Sequence, residues 1–282
     1  MKSALAAMAE AARVLHEADM PFAGEVLLTS HGLHEATLGT GQTVKVLCEK
    51  GYVGNAVIVT EVGKDAIPVC GKGMAVWEVT LKRPGEVLHE LRADESVANP
   101  LYVAHELVAQ LRELTAEFAK ADHPPYVGPD TYFVGEIRSG DFYNRVPTQA
   151  YVQGTRRWSV KRTFKDVEQE LQLEVEALRR GRDLEAEIKW TFVGDPFEVG
   201  EQEPIIQATA KAYDLVVGQR PPFDGLKAIA DGTRYWNWAN HVPVSHIGVD
   251  QATAHGSLEK VPIADIPRLA KLLIAASGYY LG

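Results

Sequence analysis

Two cysteines in 282 residues, Cys48 and Cys70, are too few for a disulfide scaffold, and both stand among apolar neighbours as buried thiols do. No apolar run approaches the roughly 20 residues that a membrane-spanning helix needs. Positive charge is scarce as well: 29 Lys and Arg stand against 38 Asp and Glu, for a formal net charge of -9 and no basic cluster. That balance argues against nucleic acid and anionic membranes as partners. The N-terminal stretch "MKSALAAMAEAARVLHEAD" is interrupted by Glu10, Arg13, His16 and Glu17 at helical spacing, which is not the pattern of a signal peptide. A soluble, reducing, cytoplasmic setting is implied. With 46% hydrophobic residues the chain can bury a substantial core, in one large domain or two ordinary ones.

Residues 2 to 18 carry an apolar stripe at Leu5, Met8, Ala12 and Leu15, which predicts a helix. "GEVLLT" reads as a strand, "GTGQTVKVLCEKG" as a helix ending in glycine, and "NAVIVTEVG" as another strand. Nearly all-apolar strands that alternate with helices predict a mostly parallel sheet covered on both faces. After Gly73 the pattern changes: alternating strands and two amphipathic helices follow in the order β-α-β-β-α-β, the ferredoxin-like arrangement. From Asp195 the first style resumes, with a helix near 204 to 217, the strand "HVPVSHIGV" and a last helix at 264 to 279. The expected organisation is an α/β domain of residues 1–72 and 195–282, interrupted by a smaller module of residues 73–194. A sheet of this kind normally opens on its central strands, whereas this chain opens on a helix, so those strands are expected upstream of Met1.

Open parallel sheets bind ligands at the carboxyl ends of their strands. His31, His34 and Glu35 follow "EVLLT", Glu61 follows "AVIVT", and His255 and Glu259 follow "PVSHIGV". Imidazole and carboxylate together suit zinc or a similar divalent ion, while polar loop residues capping helices would look the same in sequence. In the smaller module His89, Asn144, Arg156 and Arg157 stand out, although each taken singly reads first as a turn or surface residue. "ADGTRYWNWANHVP" adds Asp231, Arg234, two tryptophans and His241, where the aromatics suit either core packing or a pocket wall.

Taken in order, these segments resemble the co-catalytic zinc peptidases and deacylases that include acetylornithine deacetylase, succinyl-diaminopimelate desuccinylase, aminoacylase and glutamate carboxypeptidase. The resemblance rests on "MKSALAAMAEAARVL", "VTEVG", "SGDFYNRVPTQAYVQGTRRW", "DGTRYWNWANHVPVSHIG" and "AHGSLEKVPIADI", and it covers essentially the whole chain. It implies a zinc-binding α/β domain interrupted by a lid domain that often dimerises. It also implies hydrolysis of amide bonds in N-acyl amino acids or short peptides, with one or two Zn²⁺ ions, or Co²⁺ or Mn²⁺, as cofactor. By the same resemblance Glu35, Glu61 and His255 are metal ligands. His89 and Asn144 polarise the scissile carbonyl, reaching the partner subunit's site in a homodimer. Arg156 holds the substrate carboxylate, with Arg234 as a second substrate-binding arginine.

Two departures accompany the resemblance. His34 stands where the first of two adjacent glutamates, the general base, is expected, and an imidazole of pKa about 6.5 is chemically able to take that proton. The family's H-x-D histidine and its bridging aspartate are expected before Met1. The alternative reading is a non-catalytic relative that binds or dimerises.

Overall fold

A computed structural model of the chain describes residues 2–18, 22–34 and 41–282. It falls into two compact units, Met1–Gly71 with Phe197–Gly282, and Lys72–Pro196.

The first unit opens with α1 (Lys2–Glu17), α2 (Gln42–Glu49), β1 (Val57–Val59) and β2 (Ile67–Gly71). Ala4, Ala7, Ala11 and Leu15 are the buried face of α1. Of the stripe read from sequence, Leu15 lies on this face, whereas Leu5, Met8 and Ala12 each follow a buried alanine by one position, and Leu5 is exposed. Small alanines let α1 lie close to its neighbours, which larger side chains at those positions would prevent.

The second unit holds β3 (Gly73–Lys82), β4 (Leu88–His89), α3 (Pro100–Lys120), β5 (Thr131–Ser139), β6 (Arg145–Val146), β7 (Gln149–Trp158), α4 (Phe164–Arg179) and β8 (Glu185–Gly194). Its four long strands form an antiparallel sheet in the order β5-β7-β3-β8, and β4 pairs with β6 as a separate short ribbon. Along β3 the alternate residues Ala75, Trp77, Val79 and Leu81 are buried. Trp77, Val79 and Leu81 share one core with Leu107 and Leu111 of α3 and Leu171 and Val175 of α4. Local chemistry fixes both helix starts. Asn99 caps α3 by accepting from Leu101 N–H at 3.0 Å ahead of Pro100, and Thr163 with Asp166 forms a capping box on α4.

The chain then returns to the first unit with β9 (Phe197–Glu198), α5 (Pro204–Val217), β10 (Phe223–Leu226), α6 (Asp231–Trp238), β11 (Val244–His246) and α7 (Asp265–Leu281). Residues of α1, α5 and α7 pack in one core with Val59, Ile67, Val244 and Ile247. The architecture is mixed α/β, but the expectation of a mostly parallel sheet is corrected. Parallel pairing among the described residues is confined to β1 with β11 and β10 with β2, while β2–β9 and every pair of the second unit are antiparallel. An apolar run shows that a strand is covered on both faces; it does not fix the direction of its neighbour.

"GEVLLT" is a second correction. Residues 25–30 form no strand, and Val26, Leu27 and Leu28 are 43%, 54% and 43% exposed. A strand exists only where a neighbour completes its ladder, and no described strand pairs with this segment.

Candidate metal centre

The carboxyl ends of the parallel pair β1–β11 set the site. Val59 lies opposite His246 in the ladder, and Glu61 follows two residues after β1 ends. Two glycines allow the turns beyond to touch. A Cβ on Gly63, which has φ 100°, would fall 2.5 Å from His246 O, and one on Gly248 would fall 2.6 Å from Val62 O. These close approaches account for the glycines of "VTEVG" and "HIG".

Three further pieces converge there. The loop before α2 brings His31 and His34. It is held by Thr43 Oγ1 donating to Gly32 O, by Gly41 N–H donating to Leu33 O at 2.9 Å, and by the contact of Thr29 with the Tyr235 hydroxyl at 3.3 Å. Leu33 takes the left-handed conformation, φ 56°, a strained choice for a leucine at the bend that aims His34. The start of α6 brings Asp231 and, one turn later, Arg234. Asp231 is buried at the helix N-terminus, where the macrodipole favours a carboxylate.

His34 is the hub. Its Nδ1 lies 2.8 Å from Asp231 Oδ1 and its Nε2 lies 3.2 Å from Glu61 Oε1. His31 Nε2 is 3.1 Å from the other Asp231 oxygen, and Arg234 Nη1 donates to Asp231 Oδ1 at 2.6 Å. Hydrogen bonds to Asp231 and then to Glu61 push the His34 pKa up to about 10, and the bond to Asp231 raises that of His31. Burial would raise Asp231, but the hydrogen bonds from His31 and His34 outweigh it and hold the group far below the usual carboxylate range. His246 lies behind, with no exposed surface and neither ring nitrogen hydrogen-bonded among the described residues, and burial lowers its pKa to about 4.

One nitrogen of His34 and one oxygen each of Glu61 and Asp231 lie within 4.8 Å of one another, the only such metal-capable group among the described residues. Mixed imidazole and carboxylate donors suit Zn²⁺, Co²⁺ or Mn²⁺, and three protein ligands leave a position open. By donor chemistry and spacing, a divalent ion fits.

The residues singled out in sequence fare differently. His34, Glu61 and Arg234 come together, whereas Glu35 lies outside the described residues. His255 is exposed in the turn at 251–256, has φ 61°, and is not one of the converging three. His89 and Asn144 meet on the β4–β6 ribbon of the second unit, the Asn144 carboxamide 3.1 Å from His89 Nε2. His89 Nδ1 accepts from Leu91 N–H at 3.2 Å, and the atom of Asn144 that faces Nε2 is its Nδ2. Beside them a cavity of about 510 Å³ is lined by Tyr102, Phe142, Tyr143, Asn144 and Arg145.

Arg156 requires correction. Its side chain has no exposed surface, its guanidinium pairs with Asp130 and Glu170 at 3.3 and 3.0 Å, and it stacks over Phe118 and Tyr132. Committed to the core of the second unit, it presents nothing to a substrate carboxylate. Arg157 projects from the other face of β7 and is half-buried. The sequence assigns no role to Asp231 or His246, and none to His31 beyond its place after an apolar run. The signals were present: His246 closes a buried strand, and Asp231 opens a helix beside a strand end. Trp236 stacks on His241 with ring centroids 4.8 Å apart, and Trp236 and Trp238 pack against the core of the first unit.

Known proteins resemble the chain along nearly its whole length. The profile of peptidase family M20/M25/M40 matches residues 1–277. Succinyl-diaminopimelate desuccinylase of Nitrosococcus oceani is 26% identical over 96% of the chain and 71% of its own length. Among solved structures, aminopeptidase PepT of Bacillus cereus superposes over 100% of the chain and 71% of its own, with a TM-score of 0.82 at 17% identity. The Bacillus subtilis YXEP protein, described as a dinuclear metal binding peptidase of the M20 family, covers 84% of the chain and 61% of its own, with a TM-score of 0.59 at 14% identity.

Proposed function

Because the chain belongs to peptidase family M20/M25/M40, whose members are metal-dependent amide and peptide hydrolases, we propose that its substrates are N-acyl amino acids or short peptides and that His34, Glu61 and Asp231 hold the ion. The observation that carries this reading is the convergence of those three donors at the carboxyl end of a parallel strand pair. A bound divalent ion supplies a water of pKa near 7 and polarises the carbonyl.

This chain's own groups do the rest. Without an ion, His34 is protonated and donates to both Asp231 and Glu61. We place it among the ligands and not as the base, a role in which ion binding would displace one of those ring protons. His31 holds Asp231 by its second oxygen and orients it as an outer-shell partner does. Glu35 and His255 remain candidate ligands by family resemblance. His89 and Asn144 are assigned to the substrate carbonyl, where the Nε2–H and the carboxamide are donors suited to a developing oxyanion. The unit that carries them is inferred to be a lid that dimerises, an inference supported by its exposed Leu91, Phe142 and Tyr143. Two free cysteines suit a cytoplasmic setting.

The test is a panel of N-acyl amino acids, with N-succinyl compounds first, and dipeptides, assayed with Zn²⁺, Co²⁺ and Mn²⁺. Ion-dependent hydrolysis is expected, removed by a chelator and reduced at least about 100-fold in Glu61→Gln and Asp231→Asn. A chain that binds the ion stoichiometrically yet hydrolyses nothing in the panel would sink the hydrolase reading.

A further inference from the structure

Arg234 places a permanent positive charge among the ligands. Its Nη1 donates to Asp231 Oδ1 at 2.6 Å and lies 2.9 Å from His34 Nδ1, and its side chain is 5% exposed. A guanidinium keeps its proton at any pH a folded protein meets, so unlike the imidazoles it cannot give way by losing one. The backbone makes room for it. Gly41 has φ 77°, and a Cβ there would fall 2.1 Å from both Cδ and Nε of Arg234.

Arg234 Nε is buried without a hydrogen-bond partner among the described residues. The guanidinium thus meets Asp231 through one nitrogen and not through the two-pronged fork that arginine and carboxylate prefer.

We propose that Arg234 is a tethered cation that stands in for the divalent ion, so that ion binding displaces its guanidinium from Asp231 and His34. Asp231 is buried and serves His31 and Arg234 at once. An incoming ion therefore competes with a fixed intramolecular charge, and the chain sets its own ion affinity through residue 234. Together with the hydrogen bonds from His34 and His31, the same contact compensates the buried Asp231 carboxylate when no ion is present. This inference rests on the metal-hydrolase reading above but concerns affinity and not turnover.

The experiment is a Zn²⁺ titration of the 282-residue chain, in competition with a chromophoric chelator at fixed pH, in the unaltered protein, Arg234→Gln and the double variant Arg234→Gln/Asp231→Asn. Arg234→Gln is expected to bind at least about tenfold more tightly, because a like charge within about 4 Å has been removed, and the double variant to lose that gain. Equal affinity in the unaltered chain and Arg234→Gln overturns the inference and leaves the metal-site reading standing. No binding by any variant overturns that reading as well. Should Arg234→Gln fail to fold, guanidinium NMR of the unaltered chain decides: saturating Zn²⁺ must shift the Arg234 Nη resonance, and an unmoved signal refutes displacement.

Discussion

His246 holds its imidazole wholly out of water, with neither nitrogen hydrogen-bonded among the described residues and with Phe197 5.9 Å away between ring centroids. Burial keeps it neutral down to a pKa of about 4, whereas an unfolded histidine takes its proton near 6.5. Between those values the unfolded chain binds the extra proton, so stability falls as pH falls, by on the order of 3 kcal/mol across the window. His34 acts in a different window. Its pKa of about 10 lies above the unfolded value, so its contribution is complete below pH ~6.5 and is lost as pH rises toward 10. The raised His31 likewise contributes no slope below ~6.5, and the depressed Asp231 loses its contribution only below the ordinary carboxylate range. The acid limb from 6.5 to 4 therefore belongs to His246 among the shifted histidines. Melting temperature against pH should fall along that limb in the natural chain and run nearly flat in His246→Leu; an unchanged slope would show that the ring is not held neutral.

At the level of elements, Arg156 joins four of them. From β7 it reaches Glu170 on α4 and Asp130 just ahead of β5, and it stacks on Phe118 of α3 and Tyr132 of β5. Tyr132 and Arg162 also bond Glu170, so one carboxylate ties the network together. Arg156→Ala should cost about 3 kcal/mol in urea unfolding, because it removes the fully buried guanidinium that pairs two largely buried carboxylates and leaves only Arg162 as their cation. If Arg156 bound substrate instead, stability would hold and KM alone would rise.

This residue also marks the limit of what the sequence reveals. Alternation along "PTQAYVQGTRRW" shows a half-buried strand, but which of two adjacent arginines faces the core depends on partners supplied by α3, α4 and β5. The helices of the second unit were readable because caps and periodicity coincide at Asn99 and Thr163. By contrast, α6 was not, since Gly232, Thr233 and the aromatics lack an apolar stripe. β2, which contains Pro68, was missed for want of strand length, and "GEVLLT" was misread because its pattern carries no information about a neighbour. In the candidate site, His34 and Glu61 were legible from their places after apolar runs. Asp231 was noticed without being given a role, because its partnership with His34 spans 197 positions of sequence.

On the scale of the whole chain, the two units differ in what each can do alone. In the second, Met74 pairs with Gly194, so the strands that enter and leave it run side by side and its ends emerge together. It owns a core built on Trp77, Leu107, Leu111 and Leu171, and its long strands pair only with one another. An independent core with adjacent ends is the condition for folding as a separate domain. Residues 72–196, expressed alone, should unfold in one cooperative transition with the near-UV circular dichroism of packed tryptophans. Zn²⁺ should leave that transition unmoved, because His34, Glu61 and Asp231 all belong to the other unit. The full chain should gain about 2.7 kcal/mol at an ion concentration one hundred times the Kd. A zinc-dependent shift in the excised unit would place an ion site outside the three converging residues, and a non-cooperative melt would show that the second core depends on the first.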